Sequence, residues 1–324
     1  MLSPGRGIRR AGVEDMSRTP EALGWKVTAD LDSLGFQHEI ETWVEVGSSR
    51  QVRIDGKAAS QIALGKMARM VWLVPSMDRL WLEGAEGRRR FLDRVTMSFY
   101  PSHAEVTLTY EKTMRERNRL LKDHVSDDSW YRALEGRMAI AGAEILSNRQ
   151  EAIIRLAEAQ ADVETAFPTA DLTLLSREEG APAISKEDLI DAYQRQRPRD
   201  IAAGRTLTGP HRADLGAVFS AKGVEAKLCS TGEQKALLIS LILANARALA
   251  TDFGAPPIIL LDEVAAHLDA ERRAALYDEI CALGAQAWMT GTDASLFSDL
   301  GDRAQFFEVR EGPEGSIIEE SDIK

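Results

Sequence analysis

The stretch Ile258-Ile259-Leu260-Leu261-Asp262-Glu263 decides the fold. Four successive apolar residues show no two-residue alternation, and the run is too short for a helix. It reads as a strand buried on both faces, the environment of a parallel sheet. Two carboxylates follow at its carboxyl end, where open α/β sheets bind ligands. An Asp there can hold Mg2+ through water, and the next Glu can polarise an attacking water as general base. The bland alternative is a strand running into an acidic helix start, and for this stretch taken alone the two readings stand even.

Upstream lies Ser230-Thr231-Gly232-Glu233-Gln234. A Ser-x-Gly turn opening into a long helix puts a hydroxyl and free backbone N–H groups at the positive helix end, a natural anion site. Ser230 and Glu233 also have the spacing of a capping box, and taken alone that ordinary reading is the commoner one. Downstream, Leu268-Asp269 follows the Asp-Glu pair.

Further out, alternation and turn residues predict an antiparallel meander: Trp25 to Leu31, Glu39 to Val46, and Gln51 to Ile54 closed by Asp55-Gly56. Met70 to Val74 is a short apolar strand, followed by a basic helix through Gly87 to Asp93. Residues from about Ser102 to Phe167 are helical, with small and apolar residues at three- and four-residue spacing and Pro168 as the stop. A strand at Leu172 to Leu175 and a helix from Lys186 to Arg195 follow. Helices at Glu233 to Ala250 and Ala270 to Leu283 then alternate with strands near Val218, at Ile258 to Leu261, at Gln286 to Met289 and at Gln305 to Val309. This order predicts an α/β fold with parallel units in one sheet and an inserted helical lobe. The segments are 1–95, 96–200 and 201–324, with a loose acidic tail after Gly312.

The chain has 324 residues, 44% of them hydrophobic, and a net charge of -11. That charge excludes a uniformly basic coat protein but not a local basic patch. Two cysteines, Cys229 and Cys281, and five scattered histidines have no ligand spacing. They suit a reducing cytosol. The most apolar segment, Ala236 to Ala250, is read as too short to span a bilayer and the N-terminus has no apolar leader, so a cytoplasmic location is expected.

Taken together and in order, the Ser-x-Gly helix start, the apolar strand with Asp-Glu and Leu268-Asp269 resemble the signature motif, Walker B strand and D-loop of ABC-type ATPases. Thr208-Gly209-Pro210-His211-Arg212-Ala213-Asp214-Leu215, Arg88-Arg89-Arg90-Phe91-Leu92-Asp93 and Leu2 to Arg9 narrow the resemblance to the RecF family within the SMC-like heads. The resemblance implies an ABC-type ATPase head (a mixed sheet with flanking helices and an antiparallel β meander) with an inserted helical lobe. It implies a recombination mediator that binds DNA at single-strand/double-strand junctions in an ATP-dependent way, with RecR and RecO as partners. The intact family sandwiches ATP and Mg2+ between two copies of the head. Asp262 would hold Mg2+ and Glu263 activate water. Ser230, Gly232 and Gln234 would face the partner's nucleotide, and Asp269 would communicate across the homodimer. Ser76, in Pro75 to Asp78, stands where relatives carry a metal-proximal loop and takes no metal role. Thr292 and Asp293 follow a strand that often ends in a switch histidine.

No Gly-x-x-x-x-Gly-Lys-Ser/Thr occurs in the chain: Gly56-Lys57 and Gly65-Lys66 are preceded at the required distance by Gln51 and Ser60. The family carries that loop upstream of the segment resembling Leu2 to Arg9. The expectation is that roughly 35 residues of strand, loop and helix precede the family's equivalent of Met1. A misassigned start and a true variant without its own ATP site both remain open. Whether the chain is an ATPase is correspondingly uncertain. Basic clusters for DNA phosphates are Arg6, Arg9 and Arg10; Arg88 to Arg90; Arg115, Arg117, Arg119 and Lys122; and Arg195, Arg197 and Arg199. Arg9, Arg10, Arg88 and Arg89 are the residues singled out, the first pair because few acids flank it. The alternatives to an ATP-dependent mediator are an ATP-independent DNA- or RecR-binding scaffold and, less favoured, the ATPase subunit of an ABC transporter. The missing motif generates a prediction: titration calorimetry of this chain with Mg-ATP shows no micromolar binding, and micromolar affinity would reveal a replacement phosphate site.

Overall fold

The computed structural model describes residues 2–321 apart from 4–6, 8–10, 13, 19–20, 162, 177–184 and 313–314. The chain opens with a meander of β1 (Trp25–Ser33), β2 (Phe36–Val44), β3 (Gln51–Ile54) and β4 (Lys57–Ala59), paired antiparallel in that order. The β3–β4 turn sits on Asp55 and Gly56, with φ of 50° and 73°. Asp-Gly is favoured in such two-residue hairpins because both positions need positive φ. α1 (Gln61–Met67), which periodicity does not reveal in so short a piece, leads to β5 (Met70–Leu73).

The middle of the chain is helical: α2 (Ala85–Phe99), α3 (His103–Lys122) and α4 (Asp128–Ala161). β6 (Ala170–Leu175) and α5 (Lys186–Ala203) follow, then β7 (Asp214–Phe219), β8 (Val224–Glu225) and α6 (Thr231–Phe253). β9 (Ile258–Asp262), α7 (Ala270–Ala282), β10 (Ala287–Thr290), β11 (Phe307–Gly312) and β12 (Gly315–Glu320) complete the chain.

The strands do not form one sheet. Among the described residues β9 is the centre of a parallel sheet in the order β10-β9-β5, while β6-β7-β8 and β11-β12 are separate antiparallel sheets. The run Ile258 to Leu261 is also less enclosed than its composition suggests. Ile259 and Leu261 are buried, whereas Ile258 and Leu260 are half-buried. The tail after Gly312 is not loose either: β12 pairs with β11 through Val309 and Ile318. Its charged residues flank an apolar Ile317-Ile318 pair within β12.

One core joins the middle of the chain to its C-terminal third. α6 is buried from Gln234 through Ala246. Leu237, Leu241 and Leu249 pack in a single cluster with Phe91 and Leu92 of α2, Leu156 of α4, Ile259 of β9 and Tyr277 of α7. The apolar helix, 23 residues from Thr231 to Phe253, is longer than the sequence reading allowed and long enough to cross a membrane, but two-thirds of its most apolar window is buried in this core.

The lobe of α3, α4 and α5 has its own core of Tyr110, Met138, Ile145, Leu189 and Tyr193. Beside it Arg117 is fully buried. Its guanidinium donates to Asp200 at 2.7 Å, Glu135 at 3.0 Å and the Thr206 hydroxyl at 2.8 Å. Arg197 closes the network on Glu135 at 2.6 Å. Arg117 and Arg197, grouped above with possible DNA contacts, are therefore internal ties between helices. Removing a buried charge strands its partners, so Arg117→Leu costs about 3–5 kcal/mol. Urea unfolding should show a lowered midpoint for Arg117→Leu and, for exposed Arg119→Leu, a change within about 0.5 kcal/mol.

Candidate functional site

The N-terminus of α6 emerges from the core onto the surface. Ser230, Thr231 and Gly232 are exposed, as is Leu228 at 70%. Ser230 is the N-cap, and the capping box is formed. The Ser230 backbone N–H and hydroxyl both donate to Glu233 Oε2 at 2.8 Å, and the Glu233 N–H points back to Ser230 Oγ at 3.4 Å. Lys222 pairs with the same carboxylate. The hydrogen bond from Lys222, with those from Ser230, holds Glu233 down at about 2, so it stays ionised throughout the physiological range. A carboxylate thus sits beside the hydroxyl that the sequence assigns to an anion.

Gln234, expected among the nucleotide contacts, is buried. Its Nε2 donates back to the Cys229 carbonyl at 2.9 Å, so it shapes the turn before the helix rather than facing a ligand. The helix start is clamped from behind by the loop after β5. The Trp81 indole donates to the Gln234 carbonyl at 3.2 Å, and Lys235 Nζ lies 3.2 Å from Asp78 Oδ2. Lys235, Asp78 and Trp81 were missed because the contact spans about half the chain and no local pattern announces it.

At the other motif, Asp262 ends β9 half-exposed and accepts the Thr290 hydroxyl from neighbouring β10 at 2.7 Å. The Glu263 N–H donates to the Thr290 carbonyl and hydroxyl, each at 3.2 Å. Glu263 itself is exposed and has φ of 54°. Left-handed backbone is uncommon outside glycine and costs free energy, and such positions cluster at functional sites. Asp269 caps α7, accepting the Arg272 N–H at 2.8 Å. Asp293 likewise caps its own turn through Ser295. Among the described residues no three His, Cys, Asp or Glu side chains gather as a metal cage. Mg2+ needs none: it is commonly held by one or two carboxylates with phosphate and water oxygens. Asp262, half-exposed beside a hydroxyl, fits that donor set.

The basic candidates divide. Arg9 and Arg10 lie outside the described residues. Arg88 donates to both oxygens of Asp214, at 2.8 and 2.7 Å, and Arg89 donates to the Ala213 carbonyl at 2.9 Å. The expectation of DNA contact does not carry over to Arg88, whose guanidinium is spent on fastening α2 to the start of β7, while Arg89, half-buried, gives one N–H to the same contact.

The same short segment is gripped from the lobe. Arg149 donates to the Pro210 carbonyl at 2.7 Å and forks onto Asp93 at 2.7 and 2.9 Å. Gly209 has φ of 124°, and a Cβ there would stand 2.5 Å from the Tyr110 hydroxyl, so no other residue fits. His211 donates Nε2–H to the Thr206 carbonyl at 3.1 Å, which leaves Nδ1 to accept the Tyr110 hydroxyl at 2.9 Å. Burial holds His211 down to about 4, in the neutral form this bonding requires.

A parallel sheet ending in Asp-Glu, a buried helix with a capped surface start, an antiparallel meander and a helical lobe make this chain an ABC-type ATPase head. Solved structures share that fold: the recombination mediator protein RecF of the RecFOR pathway as RecF-ATPrS has a TM-score of 0.79 and 22% identity over 91% of this chain and 81% of its own. Its RecF-ATP form has a TM-score of 0.77 over 90% of this chain and 80% of its own, also at 22% identity. No protein-family model matches. Among relatives, the DNA replication and repair protein RecF of Allorhizobium ampelinum is 47% identical over 322 residues, 96% of this chain and 86% of the relative. That of Brucella suis biovar 1 is 48% identical over 322 residues, 96% and 84%. The chain belongs to the RecF family.

The His211 environment predicts a pH dependence. Its folded pKa is about 4 against 6.5 ordinarily, so the unfolded chain binds the extra proton between those values. Its stabilising contribution is complete above about pH 6.5 and is lost as pH falls toward 4, by up to about 3 kcal/mol. Urea midpoints of the parent and His211→Gln, compared across that window, should converge toward the acid end. A constant difference would show that His211 already carries its proton when folded.

Proposed function

We propose that this chain serves DNA replication and repair as a RecF-type mediator in the cytoplasm, engaging DNA together with RecR and RecO, and that its α6 start is one half of a composite nucleotide site. The observation that carries the half-site is the exposure of Ser230, Thr231 and Gly232 at the positive end of a helix otherwise buried in the core. Such an end presents N–H groups to an anion carried by another subunit, and the Ser230 hydroxyl, which donates to Glu233 in the capping box, would turn from that carboxylate to join them. Mg-ATP bound between two heads would supply the γ-phosphate and the cation.

Within this reading Ser230 and Gly232 touch the partner's phosphate, and Gln234 holds the turn that presents them. Asp262 offers a carboxylate to Mg2+ with Thr290 fixing its rotamer. Glu263, exposed one residue beyond, orients and deprotonates water, and Asp269 lies at the subunit boundary. ATP-dependent dimerisation is thereby a property of the signature side as much as of the phosphate-holding side.

Sedimentation tests this. This chain, mixed with a RecF relative that carries Gly-x-x-x-x-Gly-Lys-Ser, should form a heterodimer only with Mg-ATP. Ser230→Arg should abolish it, because a bulky cation fills the anion pocket and opposes the helix dipole. If Ser230 is only a cap, the substitution costs about 1 kcal/mol of stability and leaves association unchanged. Equal dimerisation of variant and parent would rule out the half-site.

A further inference from the structure

The far end of the helical lobe gathers cations that the fold leaves unused. Leu120 and Leu121 in the last turn of α3, Tyr131 in the first turn of α4 and Ile201 in the last turn of α5 pack in one small cluster, so three helix ends converge there. The Schellman-type close of α5 brings the next stretch onto α3. The Arg205 N–H bonds the Asp200 carbonyl at 3.1 Å, and Asn118 Oδ1 accepts the Thr206 N–H at 2.7 Å. The Lys122 stem lies 3.5 Å from where a Cβ of Gly204 would be.

Arg119, Lys122, Arg199 and Arg205 are all exposed at this end. Among the described residues none of them has an ion-pair partner, whereas neighbouring Arg115, Arg117, Arg132, Arg137 and Arg197 each do. The nearby acids are largely engaged: Asp128 pairs with Arg197 and Arg132, and Asp127 accepts from Ser129, leaving Asp123. Part of this positive charge complements the negative ends of α3 and α5. That accounts for a residue per helix, not for four uncompensated cations on a chain of net charge -11. The first turn of α4 adds Trp130, 59% exposed beside buried Tyr131.

We infer that this end of the lobe is a binding surface for single-stranded DNA, in which Arg119, Lys122, Arg199 and Arg205 meet successive phosphates and Trp130 stacks on a base. The inference rests on the DNA-directed function proposed above but not on its nucleotide half-site. Cations alone would suit any polyanion. An exposed indole at the same end of the lobe favours an unpaired base, since bases within a duplex are already stacked. The Asn118–Thr206 bonds and the Gly204 close fix the two helix ends relative to each other, so the backbone that carries these cations is ordered.

Fluorescence anisotropy of a labelled oligothymidylate and of a labelled duplex, titrated with the full chain across a salt series, tests this. The parent should prefer the single strand. Arg119→Ala/Lys122→Ala should bind it at least tenfold more weakly, and the slope of log K against log salt should fall by about 1.4, at about 0.7 per single-strand phosphate contact. Trp130→Ala should weaken the single strand about tenfold and the duplex little, with Trp130→Phe restoring most of the loss. All three positions are exposed, and near-ultraviolet circular dichroism checks that each variant is folded. Single-strand binding by the variants equal to the parent's overturns the surface. Equal loss on both DNAs with Trp130→Ala overturns the single-strand assignment. Failure of the parent to bind either DNA overturns this inference while the ATP-dependent sedimentation, which contains no DNA, still judges the half-site.

Discussion

The main core of this molecule depends on the burial of α6. Its apolar residues from Ala236 to Ala246 have no exposed face, so the helix must be enclosed from all sides at once. α2 and α4 from the middle of the chain, β9 and α7 from the end all meet on it. Burial of each large side chain is worth about 1.5–3 kcal/mol, and no single layer could collect that alone. The consequence for function is directional. A helix locked along its length can show only its ends, and its N-terminal end is the one that carries Ser230, Thr231 and Gly232 to the surface.

The second constraint is the segment from Gly209 to Asp214, which both lobe and head must hold. Arg149 of α4 takes the Pro210 carbonyl, Arg89 of α2 the Ala213 carbonyl and Arg88 the Asp214 carboxylate. Guanidinium groups suit this work because a planar fork can satisfy several acceptors while paired to a carboxylate. A lobe fastened through β7, whose chain continues by way of β8 to the start of α6, has a short covalent path to the signature turn.

Charge follows a matching division of labour. Most arginines at the helix contacts, Arg88, Arg117, Arg149 and Arg197 among them, are neutralised by carboxylates and contribute rigidity. Those at the end of the lobe are not, and remain available to a polyanion. Net charge therefore says little about what the molecule binds; the pairing of individual side chains decides it.

Local chemistry was legible in the sequence by itself. The apolar run into Asp262-Glu263, the Ser230–Glu233 capping spacing, the Asp55-Gly56 turn and the alternating meander strands each encode their geometry within a few residues, and the order of the motifs carried the family. Tertiary structure alone decided which polar side chains are free. Arg88, Arg89 and Arg117 look like Arg119 and Lys122 in the sequence, yet the first three are paired with Asp214, the Ala213 carbonyl, Glu135 and Asp200 from distant segments. Likewise Gln234 turns inward and Thr290 joins Asp262 only because separate strands and helices pack. Secondary structure is set by neighbours along the chain, whereas exposure and ion pairing are set by neighbours in space.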